Sequence, residues 1–150
     1  MNVSPSNLPR CETPVALLLT PESLTVIEGG SGSYTVALDS QPTATVTVTI
    51  SSASGVTVDT DTAIDGNQTT LSFSTSNWST PQTVVVSGEQ DDDAIDDTVT
   101  LVHTASGGNY GAVTANLSVT ITDDDQNICE RENALSLDGT VCDLSYKGIT

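Results

Sequence analysis

The sequence from residue 116 to residue 125 reads Asn-Leu-Ser-Val-Thr-Ile-Thr-Asp-Asp-Asp. Leu117, Val119 and Ile121 alternate with polar side chains, and three aspartates follow at once. An alternation of apolar and polar residues with a period of two is typical of a strand that buries one face and exposes the other. This stretch therefore predicts a half-buried β-strand that ends in an acidic turn.

The same alternation occurs six more times before residue 116. Thr and Val are abundant, and branching at Cβ favours extended backbone. No amphipathic stretch of helix length interrupts the pattern. The sequence therefore predicts an all-β fold, a seven-stranded immunoglobulin-like antiparallel β-sandwich with short irregular N- and C-terminal extensions. The six earlier strands are expected at about 16–27, 32–38 and 44–51, around Leu71 and Phe73, at about 82–87, and around Val99 and Leu101.

Composition divides the chain into three parts. Residues 1–14 contain three prolines and no periodicity, so we expect a leader or linker, and residues 15–125 hold the sandwich. Residues 126–150 form a cysteine-containing C-terminal extension that could begin a further domain. Cys129 and Cys142 lie close in sequence and are expected to form a disulfide. Three cysteines leave one thiol over, so the partner of Cys11 stays open, as does the alternative of three reduced thiols.

The charge balance of the chain is strongly acidic. Twenty Asp and Glu residues face three Lys and Arg residues, for a formal net charge of -17. Nucleic acid and anionic membrane surfaces would be repelled, and small cations are the expected counter-charges. No segment approaches the ~20 apolar residues of a spanning helix, so no membrane insertion is predicted, and no intact signal peptide is recognised.

The acidic residues follow the direction of the chain. If successive strands run antiparallel from pole to pole, the loops that follow the first, third, fifth and seventh strands lie at one pole. These loops hold 13 acidic residues, and the loops of the other pole hold only Asp39. Calcium accepts six to eight oxygen ligands from flexible loops, whereas zinc prefers His and Cys. We therefore expect these loops to bind calcium. The alternative is a solvated acidic surface without bound ions, as in salt-adapted proteins. The 13 residues are Glu28, Asp59, Asp61, Asp65, Glu89, Asp91, Asp92, Asp93, Asp96, Asp97, Asp123, Asp124 and Asp125.

Several motifs resemble those of the Calx-beta domain. They are the sequence Ile-Glu-Gly-Gly at 27–30, the turn Asp-Asp-Asp at 91–93, the sequence Tyr-Gly-Ala-Val-Thr at 110–114 and the closing segment 119–125, while residues 78–84 are similar to Calx-beta-like repeats of bacterial surface proteins. The resemblance covers roughly residues 20–125. It implies a seven-stranded sandwich that binds calcium at one pole, and it leaves the number of ions open because two of the acidic loops depart from the family pattern. The ligand positions that it implies are Glu28, Asp61, Asp91, Asp92, Asp97, Asp123, Asp124 and Asp125.

Other polar and aromatic residues receive structural interpretations. His103 lies in phase with Val99 and Leu101, and no nucleophile or orienting acid accompanies it, so we expect a structural histidine and a protein that is not an enzyme. Trp78 is expected to cap the core. Glycosylation sequons occur at Asn2, Asn67, Asn77 and Asn116.

These observations predict a function outside the cell. The favoured hypothesis is a calcium-binding extracellular module that acts as a structural spacer or adhesion domain of a secreted or cell-surface protein, with neighbouring domains or subunits as partners. One alternative is a filament subunit that adds residues 1–14 to the open sheet edge of a neighbour. A second is a carbohydrate-binding module that uses Trp78 or Tyr110.

Overall fold

The computed structural model describes residues 14–125. Within that range the chain forms nine β-strands and no helix, and so contains no helix long and apolar enough to cross a membrane. The predicted extensions, the sequon at Asn2, and Cys11, Cys129 and Cys142 lie outside the described residues. The strands are β1 (Leu17–Thr20), β2 (Ser23–Ile27), β3 (Ser31–Leu38), β4 (Val46–Ile50), β5 (Val56–Asp59), β6 (Thr70–Phe73), β7 (Gln82–Gly88), β8 (Asp97–Ser106) and β9 (Thr114–Thr122).

The strands form two sheets in a sandwich-like arrangement. One sheet has the order β1-β3-β7-β5, and the other has the order β2-β9-β8-β4-β6. All pairs are antiparallel except β2 and β9, which run parallel. The parallel pair matters for the site because both of its strands end at the same pole.

Nine strands replace the seven that the sequence predicts, for two local reasons. The predicted strand at 16–27 is divided at Pro21, whose ring nitrogen cannot donate to a ladder. Its first half pairs with β3 in one sheet, and its second half pairs with β9 in the other. The additional strand is β5, which follows Gly55, a residue with φ of +92°. With only two apolar residues, Val56 and Val58, β5 is too short to give a clear periodic signal.

The core lies between the two sheets and consists of the inward-facing positions of the alternating strands. Leu117, Val119 and Ile121 of β9 are buried, as are Val46, Val48 and Ile50 of β4, in agreement with the predicted inward faces. The outward positions of these strands are mainly Thr and Ser, which are exposed or half-buried. Apart from one polar pair in the core, the polar side chains of the sandwich therefore lie on its outer faces and at its poles.

Tyr34 and His103 form a polar pair in the interior of the core. The Tyr34 hydroxyl on β3 lies 2.7 Å from His103 Nε2 on β8, so the bond joins the two sheets. Nδ1 of His103 lies 3.2 Å from the Ala115 carbonyl oxygen, which can only accept a hydrogen bond. Nδ1 therefore carries the proton, and Nε2 accepts the hydroxyl proton of Tyr34. This geometry agrees with the structural role expected for His103.

One pole of the sandwich is organised by Tyr110, which is fully buried. Its hydroxyl lies 2.9 Å from Asp39 Oδ1 and 3.0 Å from the Ser40 carbonyl oxygen, and it accepts from the Ser40 amide. Trp78 packs against the core beside this pole, as the capping interpretation predicts. The ring of Tyr110 is therefore enclosed by protein and offers no face on which a sugar could stack.

The strand β6 lies at the edge of its sheet, and side chains from other segments donate hydrogen bonds to its free carbonyl oxygens. Thr60 Oγ1 donates to the Thr70 carbonyl oxygen at 2.8 Å, and Gln82 Nε2 donates to the Ser72 carbonyl oxygen at 2.7 Å. Because Gln82 belongs to the other sheet, its bond joins the two sheets. The sequon asparagines Asn67, Asn77 and Asn116 are exposed.

Candidate metal centre

The other pole brings together three segments that are distant in sequence. Glu28 follows β2 directly, and Asp123 follows β9 directly. Since β2 and β9 are parallel neighbours with Ile27 opposite Thr122, these two acids leave the sheet side by side. The Glu28 amide donates to the Thr122 carbonyl oxygen at 3.0 Å, which extends the pairing to the acidic residue itself.

The third segment is the loop from Glu89 to Asp96, which connects β7 to β8. Gly88 at the end of β7 accepts from the Gly29 amide at 3.1 Å and donates to the Gly30 carbonyl oxygen at 2.9 Å. A Cβ at Gly88 would lie 3.0 Å from the Ile27 carbonyl oxygen, so a side chain is disfavoured at this close approach. The loop therefore starts directly beside Glu28.

Glu28, Asp123 and Asp125 form a triad of carboxylates. Each offers one oxygen, and the three oxygens lie within 4.8 Å of one another. Two oxygens bound to one calcium ion at about 2.3–2.6 Å can be at most about 5 Å apart, so these separations suit a shared ion. Glu28 is buried with 4% of its surface exposed, Asp123 is half-buried and Asp125 is exposed.

One carboxylate oxygen of Asp123, a member of this triad, has no hydrogen-bond partner among the described residues. This oxygen, Oδ1, is buried, and no donor from residues 14–125 reaches it. The amide of Asp123 is satisfied by Asp96 Oδ1 at 2.9 Å. A buried carboxylate oxygen without a partner is costly, and a bound cation would satisfy it. The residues present therefore fit a metal ion.

The electrostatics of the pole also favour a bound cation. Burial raises the pKa of Glu28, the amide of Asp91 opposes this, and the charges of Asp91, Asp123 and Asp124 add to the increase. Asp125 is exposed, but desolvation by its neighbours raises the pKa of its carboxyl group, and the charges of Asp123, Asp124, Asp92 and Asp91 raise it further. No lysine or arginine occurs between residues 14 and 125, so the described part of the chain offers these acids no such partner.

The loop after β7 reaches over Glu28 with its second residue, Gln90. Glu28 Oε2 accepts from Gln90 Nε2 at 3.0 Å and from the Asp91 amide at 3.3 Å. Gln90 Nε2 also donates to Asp124 Oδ1 at 2.6 Å. Gln90 was not predicted as a residue of this pole, because the pole was predicted from carboxylates alone. Its position inside the run Glu-Gln-Asp-Asp-Asp, as the only amide donor among carboxylates, was the available signal.

A cavity of about 190 Å³ opens beside Glu28. Asp91 and Asp97 line it together with Gln90, so the start of β8 and Glu28 share this space. Asp92 acts on Asp125 through its charge. Of the eight predicted ligand positions, the structure brings seven to this pole, namely Glu28, Asp91, Asp92, Asp97, Asp123, Asp124 and Asp125.

Asp61 lies elsewhere, and the reason is strand β5. Val56 pairs with Gly88 at the acidic pole, but Asp59 pairs with Val85, three residues further along β7. The chain therefore leaves the pole before it reaches the predicted loop of Asp59, Asp61 and Asp65. Asp61 lines a groove with Gln82 and Thr83 on the side of the sandwich. The predicted position of this loop at the acidic pole is wrong, because strand β5 was not predicted.

In comparisons with known proteins, the sequence matches no family model and no curated protein.

Proposed function

We propose that residues 14–125 form a calcium-binding module of the Calx-beta type that serves as a spacer or adhesion domain of a secreted or cell-surface protein. The observation that carries this proposal is Asp123 Oδ1, a buried oxygen without a partner among the described residues, on a member of the triad of Glu28, Asp123 and Asp125. A divalent cation would satisfy this oxygen and offset two of the three negative charges of the triad.

The chemistry of the donors favours calcium. Among the described residues, the charged side chains at the pole are all carboxylates, and they lie on loops and strand ends whose spacing can adjust to a large ion. Magnesium demands stricter octahedral geometry, and zinc prefers nitrogen or sulfur ligands. The one histidine of the chain, His103, is buried in the core and engaged with Tyr34. Sites in extracellular modules bind calcium with Kd values of about 10⁻⁴–10⁻³ M, and we expect this range here.

The strand order supports an immunoglobulin-like topology. An immunoglobulin constant-type domain has the order A-B-E-D in one sheet and C-F-G in the other. With β1 as A and β3 as B, the order β1-β3-β7-β5 corresponds to the first sheet, and β4-β8-β9 corresponds to the second. The strands β2 and β6 are then additions at the edges of the second sheet. Three motifs of the Calx-beta resemblance, at 27–30, 91–93 and 119–125, meet at the acidic pole, which supports the family proposal.

A role as a spacer follows from where the ion would lie. Asp123, Asp124 and Asp125 directly follow β9, so a bound ion would order the segment through which the chain leaves this strand. An ordered exit restricts the motion of whatever follows in the chain. Assembly into a filament by strand addition remains an alternative, and it would need an edge other than that of β6, whose carbonyl oxygens at Thr70 and Ser72 are engaged.

Calcium titration of the Asp123→Asn variant tests the proposal. A ligand that binds only the native state at a hundredfold excess over Kd stabilises it by ~2.7 kcal/mol, so calcium should raise the Tm of the wild type by about 10 °C. Asp123→Asn should lose most of this shift. Asp65→Asn is the matched control, because Asp65 is exposed and lies outside the triad, and it should keep the full shift. An absent calcium response in the wild type, or an equal response in Asp123→Asn, would disprove the assignment.

A further inference from the structure

The side-chain amide of Gln90 occupies a special position at the acidic pole. Its nitrogen donates to Glu28 Oε2 at 3.0 Å and to Asp124 Oδ1 at 2.6 Å. An amide nitrogen has two protons, so both donors are used. Gln90 therefore places the positive end of a dipole between a carboxylate that follows β2 and a carboxylate that follows β9, where it partly neutralises them.

The opposite end of the same amide rests over Gly29. A Cβ at Gly29 would lie 2.8 Å from Gln90 Oε1, and Gly29 has φ of +70°, a conformation that other residues adopt with difficulty. Glycine thus makes room for the amide. The surrounding backbone and side chains accommodate both ends of the amide, and these contacts hold Gln90 in this conformation.

Glu28 belongs both to the carboxylate triad and to the Gln90 contact. A divalent ion that binds Glu28 needs its lone pairs and repels the partly positive amide protons. Glu28 Oε2 already accepts hydrogen bonds from Gln90 and from the Asp91 amide, so an ion bound to this oxygen would compete with the Gln90 amide. The hydrogen bond from the uncharged Gln90 amide therefore competes with the ion for Glu28, although this bond stabilises the metal-free pole.

We propose that Gln90 is a latch that holds Glu28 and Asp124 together in the metal-free protein and releases Glu28 when an ion enters. This inference rests on the proposed calcium function and concerns the regulation of that same site. The latch reduces the repulsion of the empty pole and, for the same reason, weakens calcium binding. Gln90 is thus a positioning residue that sets the calcium affinity without being a ligand.

The test compares Gln90→Met with the wild type and with a matched control. Methionine has a similar length and no donor. Gln41→Met is the control, since the Gln41 amide donates to the Thr75 carbonyl oxygen at 2.8 Å, outside the acidic pole. Calorimetric titration should show that Gln90→Met binds calcium about three- to tenfold more tightly, the size expected when a net hydrogen bond is lost from the metal-free state. The same variant should unfold at a lower temperature in EDTA, and Gln41→Met should leave the calcium Kd unchanged.

The possible outcomes separate the latch from the calcium function. Weaker binding by Gln90→Met would identify Gln90 as a ligand and overturn the latch, and an unchanged Kd would overturn it as well. If the wild type binds no calcium, the proposed function fails and the latch fails with it. If Gln90→Met does not fold, the NMR signals of the Gln90 amide group in the wild type decide the matter. They should shift on addition of calcium, and unchanged signals would refute the release of Glu28.

Discussion

Replacing Tyr34 with phenylalanine removes one hydroxyl group from the centre of the core and nothing else. In the wild type this hydroxyl donates to His103 Nε2 at 2.7 Å, while Nδ1 is committed to the Ala115 carbonyl oxygen. The histidine cannot exchange the roles of its two nitrogens without cost, because an unprotonated Nδ1 would place its lone pair against the lone pairs of the carbonyl oxygen. Tyr34→Phe therefore leaves Nε2 as a buried acceptor without a partner.

The size of the effect follows from this geometry. An orphaned buried acceptor costs about 1–3 kcal/mol, and 1 kcal/mol lowers the Tm of a domain of about 100 residues by roughly 4 °C. We therefore expect Tyr34→Phe to lower the Tm by about 4–12 °C at pH 7. Burial lowers the pKa of His103, so the folded protein keeps this residue neutral. The unfolded chain takes up a proton below about pH 6.5, and the contribution of His103 to stability is then lost as the pH falls towards the folded pKa.

The assay is a double-mutant cycle measured by urea unfolding in EDTA. Tyr34→Phe and His103→Leu each remove one partner, and the double variant removes both. Because replacement of both partners by apolar groups can be nearly neutral, the double variant should lose clearly less stability than the sum of the two single losses. Additive losses, or a loss below about 0.5 kcal/mol for Tyr34→Phe, would refute the assigned hydrogen bond.

Two further predictions concern the poles. Because the pKa values of Glu28 and Asp125 are raised in the metal-free protein, its stability should increase as the pH falls through the raised values, and bound calcium should reverse this contribution. His103 contributes to stability both with and without calcium. The difference between the two profiles of unfolding free energy against pH, measured with urea, therefore reports on the carboxylates. Parallel profiles would show that calcium binding is not coupled to protonation of these carboxylates. Tyr110→Phe should lower the Tm by several degrees, because Asp39 and Ser40 lose a buried partner, while a calcium titration should give the wild-type Kd. A changed Kd would show that the two poles are coupled.

The sequence was sufficient to predict the parts of the fold that depend on alternation. Leu117, Val119 and Ile121 face the core as expected, since a strand of nine residues repeats its signal several times. The sequence was insufficient for β5, where only Val56 and Val58 carry the pattern. That missing strand displaced Asp61 from its predicted position, because an added strand reverses the direction of the chain.

The candidate site was predictable as a region but not as a set of contacts. Glu28 and Asp123 lie at the same pole because β2 and β9 run in the same direction, and the alternation of strand direction predicted this for the first and seventh strands. The direct pairing of these strands as parallel neighbours was not predicted. The role of Gln90 depends on two hydrogen bonds to residues 62 and 34 positions away, and no local pattern encodes such contacts.

The pairing of β9 has a mechanical consequence. The chain begins β1 at one pole and completes β9 at the other, so a pull along the sandwich on residues 14 and 125 draws β9 lengthwise past β2 and β8. The hydrogen bonds of these pairs then resist together in shear rather than opening one after another. A cation shared by Glu28 and Asp123 would fasten β9 to β2 at the point where tension enters the strand. The same carboxylates that repel one another in the metal-free protein would then help to keep β9 paired with β2 under a pulling force.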